Sequence, residues 1–190
     1  ETDMAWGLGL GIIIDGNLYY GKSGFSGEFG HFCMFENEVL CHCGKKGCLE
    51  TEASGSAFHR ILMERYREGS NTILAGKLDS GEEISLGDLL EAVRKEDVLC
   101  IDILEKMGVN LGKGIAGLMN IFNPELVILG GTLSLAGEYI SLPVKSAIRK
   151  YSLNLVNQDT EIKISKLGER AGAFGACLLS RSKLLGMIHY

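Results

Sequence analysis

The sequence predicts an α/β fold, and three observations carry that prediction. Residues 126–129 form a short, wholly apolar run that ends in Gly130-Gly131, as a buried strand does before a turn. Residues 98–122 form one long apolar helix, stopped by Asn123-Pro124. From residue 126 onward the pattern reads strand, helix, strand, helix, the alternation that builds an α/β layer.

The elements follow in order. Residues 4–14 alternate glycine with large apolar residues and read as a buried strand. Asp15-Gly16-Asn17 signals a hairpin turn, and Leu18-Tyr19-Tyr20 is the returning strand. Glycines crowd residues 21–30, which argues for a loop, and a cysteine cluster follows. Residues 49–67 read as one helix, with Phe58, Ile61, Leu62 and Tyr66 near a 3.6-residue period. Residues 69–81 read as a polar connection, and Ser85 caps a helix running to Lys95. The strand at 126–129 is expected to be covered on both faces. A helix at 138–150, a strand at 161–165 and a small-residue-rich helix at 171–185, able to pack closely, complete the chain. No internal repeat, low-complexity segment or internal domain boundary is visible, so residues 1–190 read as a single unit.

Composition narrows the function classes. The chain has 190 residues, 46% hydrophobic and 23% charged, as expected of a globular domain with a core of its own. Net charge is −5 and no dense basic stripe occurs, which argues against this segment gripping nucleic acid by itself. No apolar run reaches the roughly 18 residues of a membrane span. No signal peptide opens the chain, so a cytoplasmic location is expected. Glu1-Thr2-Asp3 leads directly into the apolar strand, so the chain reads as cut from something larger.

Cys41, Cys43 and Cys48 cluster, whereas Cys33, Cys100 and Cys177 are scattered. In a reducing compartment a tight cluster points to metal rather than to disulfides. Cys100 and Cys177 lie in apolar helical stretches and read as small buried hydrophobes. His31 and the cluster together give His-x9-Cys-x-Cys-x4-Cys, one imidazole and three thiolates, a set suited to closed tetrahedral zinc. Four protein ligands leave no place for water, so such a zinc is structural. On spacing alone His42 competes with His31, and three free loop cysteines are the other reading.

Glu28, His31 and Glu50 bracket the cysteines, and a metal there draws all three into one region. Two carboxylates and an imidazole can bind the hydroxyl groups of a sugar. Glu50 also fits a plainer role, complementing a helix dipole in the first turn, and Glu52 has only that reading. Gly7, Gly9 and Gly11 alternate before the hairpin and would let a phosphate or another backbone approach. Gly130-Gly131-Thr132, at the end of an apolar strand, is a second candidate nucleotide-contacting turn. Close packing explains the first set equally well, and simple turning explains the second.

The run Gly27-Glu28-Phe29-Gly30-His31, followed by Cys41-His42-Cys43-Gly44-Lys45-Lys46-Gly47-Cys48-Leu49-Glu50, resembles the signature of the ROK family of repressors, open reading frames and sugar kinases. Gly7 to Gly11, Asn123-Pro124-Glu125 through Gly131, and Gly172-Ala173-Phe174-Gly175-Ala176 fit the same family, so the resemblance covers essentially the whole chain. It implies the C-terminal lobe of an actin-like, ribonuclease-H-like ATPase fold with an inserted zinc loop. The N-terminal lobe and any DNA-binding domain would lie outside this chain. It also implies zinc on His31, Cys41, Cys43 and Cys48, which selects His31 over His42. Glu28, His31 and Glu50 take the places of the family's contacts to a hexose or N-acetylhexosamine.

The departures bear on which branch this is. The kinases' catalytic aspartate precedes the glycine-rich strand, so no catalytic residue is expected in this chain, and the fragment alone is expected to be inactive. The kinases usually carry Thr-Gly-x-Gly-Gly-Gly where this chain has Trp6-Gly7-Leu8-Gly9-Leu10-Gly11, with an indole in place of a hydroxyl and Leu10 where backbone is bare. The preferred reading is the sugar-sensing effector domain of a homodimeric repressor of the NagC and XylR type, meeting DNA only through an upstream domain. The alternative is the C-terminal lobe of a sugar kinase, using ATP and magnesium. A third is a zinc-stabilised interaction module with no sugar site.

Overall fold

The computed structural model describes residues 7–186 of the chain. Trp6 and the first residues of the expected opening strand lie outside them. Ile13–Ile14 (β1) and Asn17–Leu18 (β2) pair antiparallel, Ile13 opposite Leu18. The turn between them holds Asp15 and Gly16 at φ 51° and 76°, the doubly left-handed geometry that an Asp-Gly pair favours. The rest of the expected strand is irregular from Gly7 to Ile12. The reason lies in its donors: the Leu8 amide donates to Glu50 Oε2 and the Leu10 amide to the Gly27 carbonyl, so no ladder forms.

The expected helix at 49–67 is broken in two. Glu50–Ala53 (α1) is one turn, and Gly55–Arg67 (α2) restarts after Ser54, whose backbone is extended. Ser54 Oγ accepts the Ala57 amide at 3.2 Å, so the serine acts as an N-cap in mid-segment. The expected polar connection contains a short helix, Ala75–Ser80 (α3), closed by Gly81 at φ 71°. Leu86–Arg94 (α4) carries the expected Ser85 cap, completed by Asp88 as a capping box.

Val98–Phe122 (α5) is the axis of the molecule. Leu104, Met107, Ala116 and Met119 are fully or almost fully buried along it, and Phe58 and Leu62 of α2, Leu89 and Val93 of α4 join the same core. Asp97 caps α5 by accepting the Cys100 amide, and Asn123 ends it in the left-handed conformation at φ 42°. Leu126–Leu129 (β3) and Glu161–Ile164 (β4) pair in parallel, Leu126 opposite Glu161. Between them run Glu138–Tyr151 (α6), packed along α5, and a short helix the sequence does not announce, Asn154–Asp159 (α7).

Two expectations about packing fail. β3 is not covered on both faces: Val127 and Leu129 meet the core, whereas Leu126 and Ile128 are 41% and 60% exposed. The final helix, Ala171–Leu184 (α8), buries none of its described side chains, and Phe174 and Leu178 are exposed. Its principal contact is the turn at Gly168–Arg170. Cys177 on that helix is exposed for the same reason, against its reading as a buried hydrophobe, while Cys100 in α5 is buried as expected. Among the described residues no helix is long and apolar enough to cross a membrane.

Candidate metal centre and ligand site

The site is built from a 3-10 turn, a knuckle and a helix start. Phe29–His31 forms the 3-10 turn, with Phe29 and Gly30 buried and Glu28 exposed in front of it. Chain 41–48 folds back on itself, the Cys41 amide donating to the Lys45 carbonyl and the Gly44 amide to that of Cys41. Backbone pairing of Cys33 with Cys48, and donation from Leu49 to Phe32, tie this knuckle to the turn.

One donor atom from each of His31, Cys41, Cys43 and Cys48 lies within 4.8 Å of all the others. Cys41 Sγ is 3.5 Å from His31 Nδ1, and Cys43 Sγ is 3.6 Å from Cys48 Sγ. A tetrahedron with Zn–S bonds of about 2.3 Å has edges of roughly 3.8 Å, so the set fits a zinc ion with small adjustments. His42 is exposed and outside this group. Burial pushes the Cys48 thiol up to about 12 and raises that of Cys41, whereas the Lys45 amide, donating to the exposed Cys43 sulfur, lowers the third. A metal entering this set must displace protons from the two buried thiols.

With Nδ1 on the cysteine side, His31 presents Nε2 to Glu28 Oε2 at 3.7 Å. Glu28 and His31 therefore come together, 62% and 34% exposed at their side chains. Glu50 reaches the same metal set through Cys41 and packs against Gly30, the residue before His31. Its Oε2 accepts the Leu8 amide at 3.0 Å, and its Oε1 lies 3.7 Å from Cys41 Sγ. It lines a cavity of about 210 Å³ with Cys41, His42, Thr51, Ser56 and Arg60, and neither Glu28 nor His31 is among the walls. Glu52, expected only to complement a helix dipole, also accepts Asn37 Nδ2 at 2.8 Å and Arg60 at 3.3 Å, so it joins the loop to α2. Sequence spacing gives no sign of either contact, because both partners are distant in the chain.

The glycine-rich segment holds Gly9 and Gly11 beside open space, while Gly7 lies against the Glu50 carboxylate. The Leu10 side chain is partly buried and packs against the core. Gly130 and Gly131 stand at the end of β3, with Gly131 at φ 81° opening the turn Thr132–Ala136. Among the described residues no hydrogen bond joins this turn to residues 7–11.

Several known proteins resemble this chain. The chain is 35% identical over 173 residues to a glucokinase of Halalkalibacterium halodurans, covering 90% of the chain and 52% of the relative. It is 33% identical over 188 residues to a xylose repressor of Caldicellulosiruptor bescii, covering 97% and 46%. A ROK family glucokinase from Streptomyces griseus, solved with glucose and AMPPNP, superposes with a TM-score of 0.80 at 31% identity, over 93% of the chain and 58% of that structure. The chain thus spans about half the length of the curated relatives it matches. Its relatives include sugar kinases and transcriptional repressors alike. The ROK family profile matches residues 3–183, and the chain belongs to that family.

Proposed function

We propose that this chain is the sugar-sensing effector half of a ROK-type transcriptional repressor. The observation that carries the sugar reading is the bifacial placement of His31. A structural zinc held by Nδ1 with Cys41, Cys43 and Cys48 fixes the ring, and Nε2 then meets a sugar hydroxyl beside Glu28. Glu50 keeps lone pairs beyond those given to Leu8, so it can accept a further hydroxyl of a hexose or N-acetylhexosamine.

The choice of repressor over kinase is supported by the glycine-rich segment. A phosphate cradle works by presenting unspent backbone N–H groups. Here the Leu8 and Leu10 amides are committed to Glu50 and Gly27, and an indole stands at residue 6. In this reading the protein acts as a homodimer and meets DNA through a separate domain of the intact protein. Sugar binding changes the affinity of that dimer for its operator by coupling the two sites.

The second reading, a kinase lobe that uses ATP and magnesium with Gly7, Gly9, Gly11, Gly130 and Gly131 at the phosphates, is favoured by the likeness to the two glucokinases. ADP release by the intact protein, with ATP and magnesium, across glucose, mannose, N-acetylglucosamine and N-acetylmannosamine separates the two. The repressor reading expects no turnover with any sugar that titration shows to bind. Turnover with one of them makes the protein a kinase.

A further inference from the structure

Behind the proposed contacts, the long helix α5 has a notch at Gly114, which is buried. A Cβ built on Gly114 would fall 2.8 Å from Phe29 Cζ and 2.9 Å from Leu49 Cδ2, closer than real side chains approach. Phe29 is the residue between Glu28 and the Gly30-His31 end of the 3-10 turn. Leu49, fully buried, is the residue between Cys48 and Glu50. One glycine on α5 therefore seats both segments that bear the site, and the Leu49 amide donating to the Phe32 carbonyl joins the two above it.

The helix bearing the notch is itself fixed. At Gly108 a Cβ would lie 2.9 Å from that of Pro143, and at Gly112 one would lie 2.7 Å from that of Ala147, so α5 and α6 approach backbone to backbone. Such contact leaves little freedom to slide. Gly117, three residues beyond the notch, has nothing within 4 Å of its would-be Cβ. Close packing is thus local to particular glycines of α5 and is not demanded by the helix as such.

We propose that Gly114 is the positioning residue of the site: its missing side chain lets Phe29 and Leu49 dock together, and that docking sets Glu28 and His31 against Cys48 and Glu50. The part of this concerning sugar rests on the proposed function. The part concerning the metal set does not.

The test uses the intact protein and two readouts, zinc affinity by competition with a chromophoric chelator and sugar affinity by titration. Gly114→Ala pushes Phe29 and Leu49 outward and is expected to weaken zinc by about tenfold or more, the scale on which groups supporting a ligand act. Sugar affinity falls with it. Gly117→Ala, which adds the same methyl to open helix, leaves both affinities unchanged. Phe29→Leu placed on Gly114→Ala removes the far end of the ring and is expected to recover a large part of the zinc loss. A role in folding alone predicts a lowered urea midpoint in Gly114→Ala with the zinc affinity of the folded protein unchanged, and that result overturns the proposal. Wild-type zinc affinity in Gly114→Ala, or no recovery in the double variant, overturns the proposal. Should Gly114→Ala fail to fold, Phe29→Leu alone decides: it must weaken zinc with the circular dichroism unchanged, and wild-type affinity there also overturns it. A wild-type protein that holds zinc but binds none of the sugars sinks the sugar reading and leaves the zinc arm intact.

Discussion

At the scale of single residues the cysteines do unequal work. Cys41 and Cys48 are buried and their thiols are raised, so metal must displace their protons, and acid competes with metal. Zinc affinity is expected to fall as pH drops, by about tenfold per unit for each proton displaced. Chelator competition at pH 8, 7 and 6 measures this, and a flat profile would mean the thiols are not the ligands. Cys43→Ser is expected to lose zinc and, with the loop loosened, sugar affinity. Cys33→Ser keeps both, because the Cys33 sulfur contacts the Lys46 carbonyl and stands outside the donor set. Full zinc occupancy and unchanged sugar binding in Cys43→Ser would refute the ligand assignment. Convergence of these side chains was legible in the spacing of the three cysteines. That Glu50 would spend an oxygen on Leu8, 42 residues away, was not, since no local pattern records such a contact.

At the scale of elements, caps decide where helices begin. Asp97 is the hinge of two segments: Oδ1 holds the Cys100 amide, and Oδ2 holds the Thr72 hydroxyl and the Ile73 amide at 2.9 and 2.7 Å. Burial raises its carboxyl, but the Cys100 and Ile73 amides and the Thr72 hydroxyl outweigh that, and the net shift is downward. Asp97→Ala leaves these donors without an acceptor and is expected to cost about 2–3 kcal/mol in urea denaturation. A loss below about 0.5 kcal/mol would show the cap to be idle. Asp88 offers a pH test. Lys77, first of all, and then Ser85 hold its carboxyl at about 2, below its ordinary 3.8. A depressed folded value contributes stability that is present above the ordinary value and is lost as pH falls through the folded one. The acid loss of stability between these two values should therefore be shallower in Asp88→Asn than in wild type, by about 2 kcal/mol at most. Ser85 was visible as a cap in the sequence, because its helix is strongly periodic. Ser54 was not, because the helical period of Phe58, Ile61, Leu62 and Tyr66 does not mark where its helix starts.

At the scale of the whole molecule, the described chain leaves one side of its small sheet and its last helix bare. Ile128 is 60% exposed and the adjacent Leu129 is 8% exposed, so one strand has a wet face and a buried one. In the 190-residue chain Ile128→Ser is expected to change stability by less than about 0.5 kcal/mol, and Leu129→Ala to cost about 2–4 kcal/mol. Equal losses on denaturant unfolding would mean that the outer face is covered. The apolar run at 126–129 announced a strand correctly but overstated its burial, since a run of leucine, valine and isoleucine records an affinity for a covering layer and not the layer's presence.

What could be read from the residues alone was local and chemical: the Asp-Gly hairpin turn, the 25-residue helix from Val98 to Phe122, the strands on either side of α6, and a His-Cys set suited to zinc. These are written in backbone preference, apolar period and donor chemistry, all of which act over a few residues. What depends on distant partners came only with folding. It turned His31 Nδ1 to the cysteines and Nε2 to Glu28, spent the Leu8 and Leu10 amides on internal acceptors, and set Phe29 and Leu49 on a single glycine of α5. The physical reason is that a lone pair, an amide or a missing methyl takes its meaning from whatever segment folding brings against it.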